Sequence, residues 1–332
     1  MVVPKCFHRP EIQFALQSVQ KAALLTRIIQ SEMVNPSPLT KKDRTPVTLA
    51  DLASQAVVSA MMEESLPGAV LVGEETSEVL RSPEAVSDLA KVGKYVAQYF
   101  PGVSSENVLG WLDRGTAEPA SRFWTLDPID GTTGFLRKGQ YAVGLALIEN
   151  GRVQLGVLGC PNLDASGGKG EKGLIAVGIL GEGAWVSPLG DISQFKQIHV
   201  SRTCDLKSAR ILRSFDPAHT NPEQIEKLQK LLRIQSEPVL MDSLAKYVTL
   251  ARGEAQIYFR LLAEGKKNYK EYIWDQAPGT LILEEAGGRV TDLDGQVLDF
   301  SQGRKLLKNR GVLSTDGHLH EACLDALRKS GI

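Results

Sequence analysis

Residues 125–135 read TLDPIDGTTGF, a segment that places two aspartates three positions apart directly after an apolar run. Pro128 lies between them and cannot pair in a regular sheet ladder, so the chain is expected to turn within a few residues. Such a turn can aim Asp127 and Asp130 at one point. Taken alone, the Asp-Gly dipeptide and its threonines are equally typical of an ordinary turn or a helix cap.

The residues after the second aspartate, Gly131, Thr132 and Thr133, can open a helix. Backbone N–H groups at the start of a helix have no partner within it and bind phosphate well. Carboxylates beside a phosphate would repel it unless a cation lay between them. A hard cation that prefers oxygen ligands fits this position, and the segment therefore predicts magnesium.

Further acidic residues stand at the ends of other predicted elements. Asp51 lies at the start of the second predicted helix, Glu74 and Glu75 follow the strand-like LVG, and Asp275 begins the helix WDQAPGTLILEEAGG. Each of these alone is usually a solvated cap. Together with DPIDGT they predict a two-metal site that hydrolyses a phosphate ester.

Composition excludes several other classes of protein. Lys and Arg number 38 against 39 Asp and Glu, so the near-neutral chain gives no electrostatic indication of a nucleic-acid or membrane partner. The four cysteines are scattered without metal-ligand spacing, which fits a reducing compartment. No signal peptide and no long apolar run is found, so we expect a cytoplasmic location.

Hydrophobic periodicity divides the chain into regions. Residues 10–33 and 48–65 have helical spacing. Strand-like runs separated by turns begin near residue 122 and predict an antiparallel meander, whereas strands alternate with helices in the last third. A chain of 332 residues exceeds what one core usually organises. We therefore predict two sub-domains, residues 1–195 and 196–332.

The motifs GEE, DPIDGTTGF and WDQAPGTLILEEAGGRVTDLDG, in this order, resemble a known family. It is the superfamily of magnesium-dependent, lithium-sensitive phosphomonoesterases, which includes inositol monophosphatase and fructose-1,6-bisphosphatase. The resemblance extends from about Asp51 to Gly295. It implies a mixed α+β fold, a layered αβαβα sandwich, with a site for two or three Mg²⁺ ions between the two sub-domains.

Other segments resemble one branch of that superfamily, the 3'(2'),5'-bisphosphate nucleotidases. They are TPVTLADLASQAVV, GVLGCPNL and DSLAKYVTLARGEAQIYFR, together with the long insert between Glu74 and Asp127. This likeness implies a monomeric enzyme that hydrolyses the 3'-phosphate of adenosine 3',5'-bisphosphate (PAP) to leave AMP. The sulfated relative, 3'-phosphoadenosine 5'-phosphosulfate (PAPS), is a second candidate substrate, which places the enzyme in sulfur metabolism.

The resemblance also implies a role for individual residues. The metal ligands are Glu74, Asp127, the carbonyl of Ile129, Asp130 and Asp275. Asp51 and Thr132 orient and deprotonate the attacking water, while the N–H groups of Gly131 and Thr132 hold the phosphate. The nucleotide is contacted by Ser243, Lys246, Arg260 and Asp275, and by His219 at the base or ribose, where the family more often reads HSSH.

Two alternatives to a nucleotidase remain open from the sequence. An inositol mono- or polyphosphate phosphatase shares every metal ligand, so only the stretch at 243–260 discriminates, and it favours the nucleotide. A non-catalytic sensor of nucleotide or metal is a different class. The intact set of acidic residues argues against it, because a dead relative tends to lose at least one.

Overall fold

The computed structural model describes residues 4–33, 39–40, 46–165, 172–202, 204–215, 222–262 and 268–332. The α-helices in these ranges are Pro10–Glu32 (α1), Leu49–Ser65 (α2), Val86–Val96 (α3), Ser105–Asp113 (α4), Thr132–Leu136 (α5), Pro222–Leu232 (α6), Ala245–Ala251 (α7), Ala277–Glu285 (α8) and His320–Ser330 (α9).

The strands fall into three sheets within the described ranges. A small ribbon pairs Leu39–Thr40 (β1) with Pro46–Val47 (β2). The larger sheets are built from Leu71–Gly73 (β3), Arg122–Asp130 (β4), Ala142–Glu149 (β5), Arg152–Asp164 (β6), Lys172–Ile179 (β7), Gly183–Pro188 (β8), Lys196–Ile198 (β9), Ile211–Arg213 (β10), Val239–Leu240 (β11), Ile257–Arg260 (β12), Arg289–Thr291 (β13) and Val312–Thr315 (β14).

The first large sheet follows chain order from β3 to β9. Only its first pair, β3 and β4, is parallel, and every later neighbour is antiparallel, so the predicted meander is confirmed. The second sheet has the order β11-β10-β12-β14-β13 and mixes parallel with antiparallel pairs. Its strands alternate along the chain with α6 to α9, as the sequence pattern predicted.

The layers stack in the order helix, sheet, helix, sheet, helix. Helices α1 and α2 contact one face of the first sheet, α7 and α8 lie on its other face, and α6 and α9 pack outside the second sheet. The buried apolar residues of the described structure form three clusters: one between the first sheet and α1 and α2, one between the two sheets that includes α7 and α8, and one between the second sheet and α6 and α9. The αβαβα sandwich expected from the resemblance is therefore present.

Strands β5 to β7 carry large side chains on one face and small ones on the other. Because successive strand residues point to opposite faces, Leu145 and Val177 face the layer of α1 and α2, while Gly156 and Gly178 face α8. The small face lets α8 approach closely: a Cβ added at Gly178 would lie 2.7 Å from the Cα of Ile282. The same holds at the start of α8, the end that follows Asp275, where a Cβ added at Gly156 would lie 2.6 Å from the carbonyl oxygen of Pro278.

The two predicted sub-domains share structure near their boundary. Strand β9 at residues 196–198 still belongs to the first sheet, and α8 from the C-terminal half packs on β6 and β7. The division at residue 195 therefore stays a prediction about sequence regions. Among the described helices, none is both long and apolar enough to span a bilayer.

Replacing Gly178 with alanine tests the close approach of α8. We expect the free energy of unfolding to fall by about 1–3 kcal/mol, because the new methyl group meets helix backbone and cannot be relieved by a side-chain rotation. Gly93→Ala in α3 is the matched control, since a Cβ there meets open space. That variant should gain about 0.5–1 kcal/mol from the better helix former. Equal effects of the two substitutions in urea unfolding would contradict the packing described.

Candidate active site

A bulge in β4 brings the two aspartates of DPIDGTT to one place. Residues three apart on a regular strand point to opposite faces. Here Asp127 pairs with Gly144 and Asp130 with Ala142, so three steps on β4 match two steps on β5. The extra residue at the bulge rotates the chain. The strand therefore continues past Pro128 to Asp130 as one element. The sequence had predicted that it ends at Asp127, directly after the apolar run.

The residue after the bulge is a glycine for two physical reasons. Gly131 caps α5 with φ of 87°, in the left-handed region that side chains disfavour. A Cβ at this position would also lie 2.9 Å from the Cβ of Ser243. The sharp turn therefore sets α5 directly against the C-terminal half of the chain, with its first N–H groups at the cleft between the two halves.

Three carboxylates meet in this cleft. One oxygen from each of Asp127, Asp130 and Asp275 lies within 4.8 Å of the others. The Glu74 side chain lines the same cavity, which has a volume of about 360 Å³. Asp275 lies in the turn just before α8, two residues ahead of its first residue, rather than in the helix itself.

Burial and mutual repulsion make these carboxylates costly to ionise. Burial, followed by the charge of Glu74, raises the pKa of Asp127 well above its usual range. Burial raises the pKa of Asp130 to about 6, although Lys246 and the N–H of Leu244, which donates to its Oδ2, act in the opposite direction. Burial also raises the pKa of Asp275 well above its usual range, and the negative charge of Glu271 is the next largest contribution.

The charge of the cavity favours a bound cation. Its described lining includes more carboxylates than cationic groups, namely Glu74, Asp127, Asp130, Asp242, Glu271 and Asp275 against Lys246 and Arg260. An anionic substrate would meet net repulsion here unless positive charge were added. Carboxylate and carbonyl oxygens, without histidine or cysteine among the clustered ligands, suit a hard divalent cation. The residues present therefore fit the metal site that the motifs predicted.

Asp51 and Thr132, predicted to activate water, both lie at helix starts. Asp51 Oδ2 accepts hydrogen bonds from the N–H and hydroxyl of Thr48, at 2.8 and 2.5 Å, and forms a capping box for α2. Its charge also contributes to the raised pKa of Asp127. The Thr132 hydroxyl lines the cavity and donates to the Ile129 carbonyl at 3.4 Å. Asp51 is not among the described residues that line the cavity.

Two of the predicted nucleotide contacts, Lys246 and Arg260, form a cationic wall of the same cavity. Lys246 is 4% exposed, and its Nζ donates to the hydroxyl of Ser214 and the carbonyl of Met241 at 3.3 and 3.2 Å. Burial lowers its pKa to about 8, while the charge of Asp130 acts to raise it. Arg260 Nε donates to Glu271 Oε1 at 3.0 Å. The wall and the carboxylate cluster line one cavity, and the charges of Lys246 and Arg260 both act to lower the pKa of Asp130.

Ser243 and its neighbours fix the entrance to α7. Ser243 has φ of 70°, a strained value for a residue with a side chain. Its Oγ accepts a hydrogen bond from Ala245 N–H at 3.2 Å, which is a capping contact. The N–H of Leu244, the residue directly after Ser243, donates to Asp130. The two halves of the chain are therefore joined at a carboxylate of the site.

Several side chains of the cavity were missed by sequence reasoning. They include Asp242, Tyr258, Tyr269, Glu271, Tyr272 and Trp274. Four of the six lie in NYKEYIWD, residues 268–275, the run that ends at Asp275. Its aromatic residues were the signal available in the sequence. Asp242 pairs with Arg137 from the end of α5, and that guanidinium lies 5.4 Å from the ring of Phe215. His219, the remaining predicted contact, lies outside the described residues.

Comparison with known proteins identifies close relatives. The model of the inositol monophosphatase family matches residues 9–331. The Dictyostelium discoideum protein named 3'(2'),5'-bisphosphate nucleotidase is 38% identical over 325 residues, covering 95% of this chain and 96% of the relative. The Arabidopsis thaliana protein named 3',5'-bisphosphate nucleotidase 2 is 37% identical over 346 residues, covering 97% of each chain. The resemblance to bisphosphate nucleotidases is therefore confirmed.

Solved structures of inositol monophosphatases have the same fold as this chain. The IMPase of Thermotoga maritima matches with a TM-score of 0.67 at 18% identity, covering 97% of this chain and 98% of its own. The inositol monophosphatase from Anabaena matches with a TM-score of 0.61 at 20% identity, covering 96% and 94%. From its motifs, its layered fold and a family match over nearly its whole length, the chain belongs to the inositol monophosphatase family.

Proposed function

We propose that this protein is a magnesium-dependent phosphomonoesterase that hydrolyses the 3'-phosphate of PAP to give AMP and phosphate, with PAPS as a second substrate. One observation carries the proposal: a carboxylate cluster and a buried lysine–arginine wall line the same cavity. A substrate with two phosphates suits such a cavity, because one phosphate can lie at each side. Relatives of nearly full length carry the name of this activity.

The metal in this proposal is magnesium, with two or three ions per site. Its ligands are the side chains of Glu74, Asp127, Asp130 and Asp275 and the carbonyl of Ile129. Magnesium bound among them would neutralise phosphate oxygens and lower the pKa of the attacking water. The all-oxygen donor set supports a hard cation, and the family resemblance is the ground for magnesium and for the number of ions.

The chain's own groups prepare the ester for attack. The N–H groups of Gly131 and Thr132, at the start of α5, hold the phosphate that is removed. The Thr132 hydroxyl donates to the Ile129 carbonyl, and its lone pairs can accept a hydrogen bond from the attacking water. For the proton transfer this hydroxyl turns to the Asp51 carboxylate, which Thr48 holds, gives it its own proton and takes one from the water in the same step.

The second phosphate of the nucleotide lies against the cationic wall. Lys246 and Arg260 supply charge-assisted hydrogen bonds, and the bond from Arg260 Nε to Glu271 holds the guanidinium in place at the cavity. The Ser243 hydroxyl adds a third polar group beside them. Because burial depresses the pKa of Lys246 to about 8, an anion next to its amino group would raise that pKa again and hold the lysine charged.

An inositol phosphate phosphatase is the second candidate, because the solved structures that match the fold include inositol monophosphatases. An inositol monophosphate would use the carboxylate cluster and would bring no second phosphate to Lys246 and Arg260. A non-catalytic nucleotide sensor would use the wall alone. Lithium sensitivity, a monomeric state and a cytoplasmic location stay predictions from the sequence.

Phosphate release separates these functions. With PAP and inositol 1-phosphate as substrates in magnesium buffer, we expect strong preference for PAP. Asp130→Asn should lower turnover at least about a hundredfold, because it removes a direct ligand and outer-shell changes alone cost metalloenzymes tenfold or more. Preference for the inositol ester would contradict the assignment of the nucleotide wall. Turnover unchanged in Asp130→Asn would refute the metal assignment.

Removing the buried ammonium group tests the wall itself. Lys246→Met should lower kcat/KM for PAP by roughly ten- to hundredfold, since a hydrogen bond to a charged group contributes about 1.5–3 kcal/mol. The charge of Lys246 also favours the ionised form of Asp130, so the assay is run at saturating magnesium and pH 8, where turnover of a simple aryl phosphate, which has no second phosphate, should change little. Lys227→Met is the matched control. That lysine lies in α6, donates to the Ser330 carbonyl at the end of α9 and is not among the described residues that line the cavity. An equal loss for both substrates would argue against a phosphate contact at Lys246.

Binding of magnesium should depend on pH. Asp130 must lose its proton to act as a ligand, and burial raises its pKa to about 6. The affinity for Mg²⁺ is therefore expected to fall as the pH drops through 6, and binding at pH 5.5 should release protons. Calorimetry in two buffers of different ionisation enthalpy measures both quantities. An affinity that is the same at pH 5.5 and 7.5 would be contrary to this account.

A further inference from the structure

Arg304 contacts both halves of the site, although no sequence motif pointed to it. It lies between β13 and β14, and its guanidinium carbon is 5.1 Å from the centre of the Trp274 ring. The same guanidinium donates to the carbonyls of Gly73, Gly115 and Ala117, at 2.5, 3.4 and 3.1 Å. Gly73 precedes Glu74, and Trp274 precedes Asp275. One side chain thus joins the segments that carry two candidate metal ligands.

Glu74 is the residue directly after β3, and one backbone hydrogen bond to β4 still holds it. Its N–H donates to Leu126 at 3.1 Å. The Gln55 amide holds the following residue, Glu75, at both its N–H (3.0 Å) and its carbonyl (2.6 Å). Arg304 holds the preceding carbonyl, that of Gly73. Side chains from other parts of the fold therefore fix the peptide groups on both sides of this carboxylate.

Asp275 lies in a turn, and its segment is attached to Arg304 twice. The backbone carbonyl of Arg304 accepts a hydrogen bond from Ile273 N–H at 3.1 Å, and its guanidinium covers the Trp274 ring. That ring stacks on Tyr272 with centroids 4.6 Å apart and an angle of 13° between the planes. Lys305, the next residue, lies 4.5 Å from the centre of the Tyr272 ring. The aromatic pair is thus covered by two successive cations.

The four carboxylates differ in how they are supported. Asp127 and Asp130 stand on one strand, whose ladder to β5 sets their separation. Glu74 and Asp275 come from opposite halves and lie outside regular elements. Their separation depends on contacts between the halves. A guanidinium suits this task because its planar fork can donate to several carbonyls while its face stacks on an aromatic ring.

We propose that Arg304 is a positioning residue that sets the distance between Glu74 and Asp275 and thereby tunes the affinity of the site for its divalent cation. The inference rests on the proposed function, because it takes both carboxylates as metal ligands. Arg304 touches neither the reacting atoms nor the cation. It acts through the backbone of Gly73 on one side and through the Trp274 ring on the other.

Magnesium calorimetry on the full chain tests the inference without relying on turnover. We expect Arg304→Ala to bind Mg²⁺ roughly ten- to hundredfold more weakly, the range found when residues supporting metal ligands are removed. Arg304→Lys keeps the charge but not the planar fork, and should show a smaller loss. Arg310→Ala is the matched control, since Arg310 lies in the same loop and pairs with Asp294 at the surface. It should keep the affinity of the unaltered protein.

Thermal unfolding and kinetics exclude a general loss of structure. If Arg304 positions the ligands, Arg304→Lys needs a higher magnesium concentration for half-maximal activity than the unaltered protein. Its KM for PAP, measured at saturating magnesium, stays the same. A lower melting temperature with unchanged magnesium affinity in both Arg304 variants would overturn the inference and leave the proposed function intact. Failure of the unaltered protein to bind Mg²⁺ would overturn the proposed function, and the inference with it.

Discussion

The crowding of carboxylates in one largely buried cleft is the constraint on which the rest of the structure depends. Ionised groups at this spacing repel one another, and burial removes the water that would screen them. The raised pKa values of Asp127, Asp130 and Asp275 express that cost. The fold offsets part of it with the Leu244 N–H and the charge of Lys246. A cation bound at the cluster would offset the remainder and would thereby link metal binding to stability.

Local features of the backbone bring the carboxylates close together. A bulge puts Asp127 and Asp130 on one side of β4, and a left-handed glycine turns the chain at once into α5. Glycines on β6 and β7 let α8 lie close to the first sheet, so that the turn before it can bring Asp275 to the same point. None of these features adds a chemical group. Each removes bulk or changes direction where carboxylates from distant parts of the sequence have to meet.

The sequence predicted those parts of the fold and site that depend on local pattern. Strand-like runs separated by turns marked the meander, helical spacing marked α1 and α2, and the spacing of Asp127 and Asp130 about a proline indicated a shared target. It could not predict Glu271 or Arg304, because their importance comes from contacts with residues that packing alone brings near. The placement of Asp275 within a helix was wrong for a related reason. The turn before α8 is stabilised by contacts with the loop after β13, which no local pattern contains.

Anomalous diffraction from crystals soaked in Mn²⁺, a hard cation that accepts the ligands of magnesium, tests the central claim most directly. The account predicts strong peaks among the carboxylate oxygens of Asp127, Asp130 and Asp275, with Glu74 completing the ligand set. These peaks should disappear or move in crystals of Asp130→Asn. Peaks confined to surface carboxylates, with the cluster empty at saturating Mn²⁺, would contradict the claim that the crowded cleft is held for a metal.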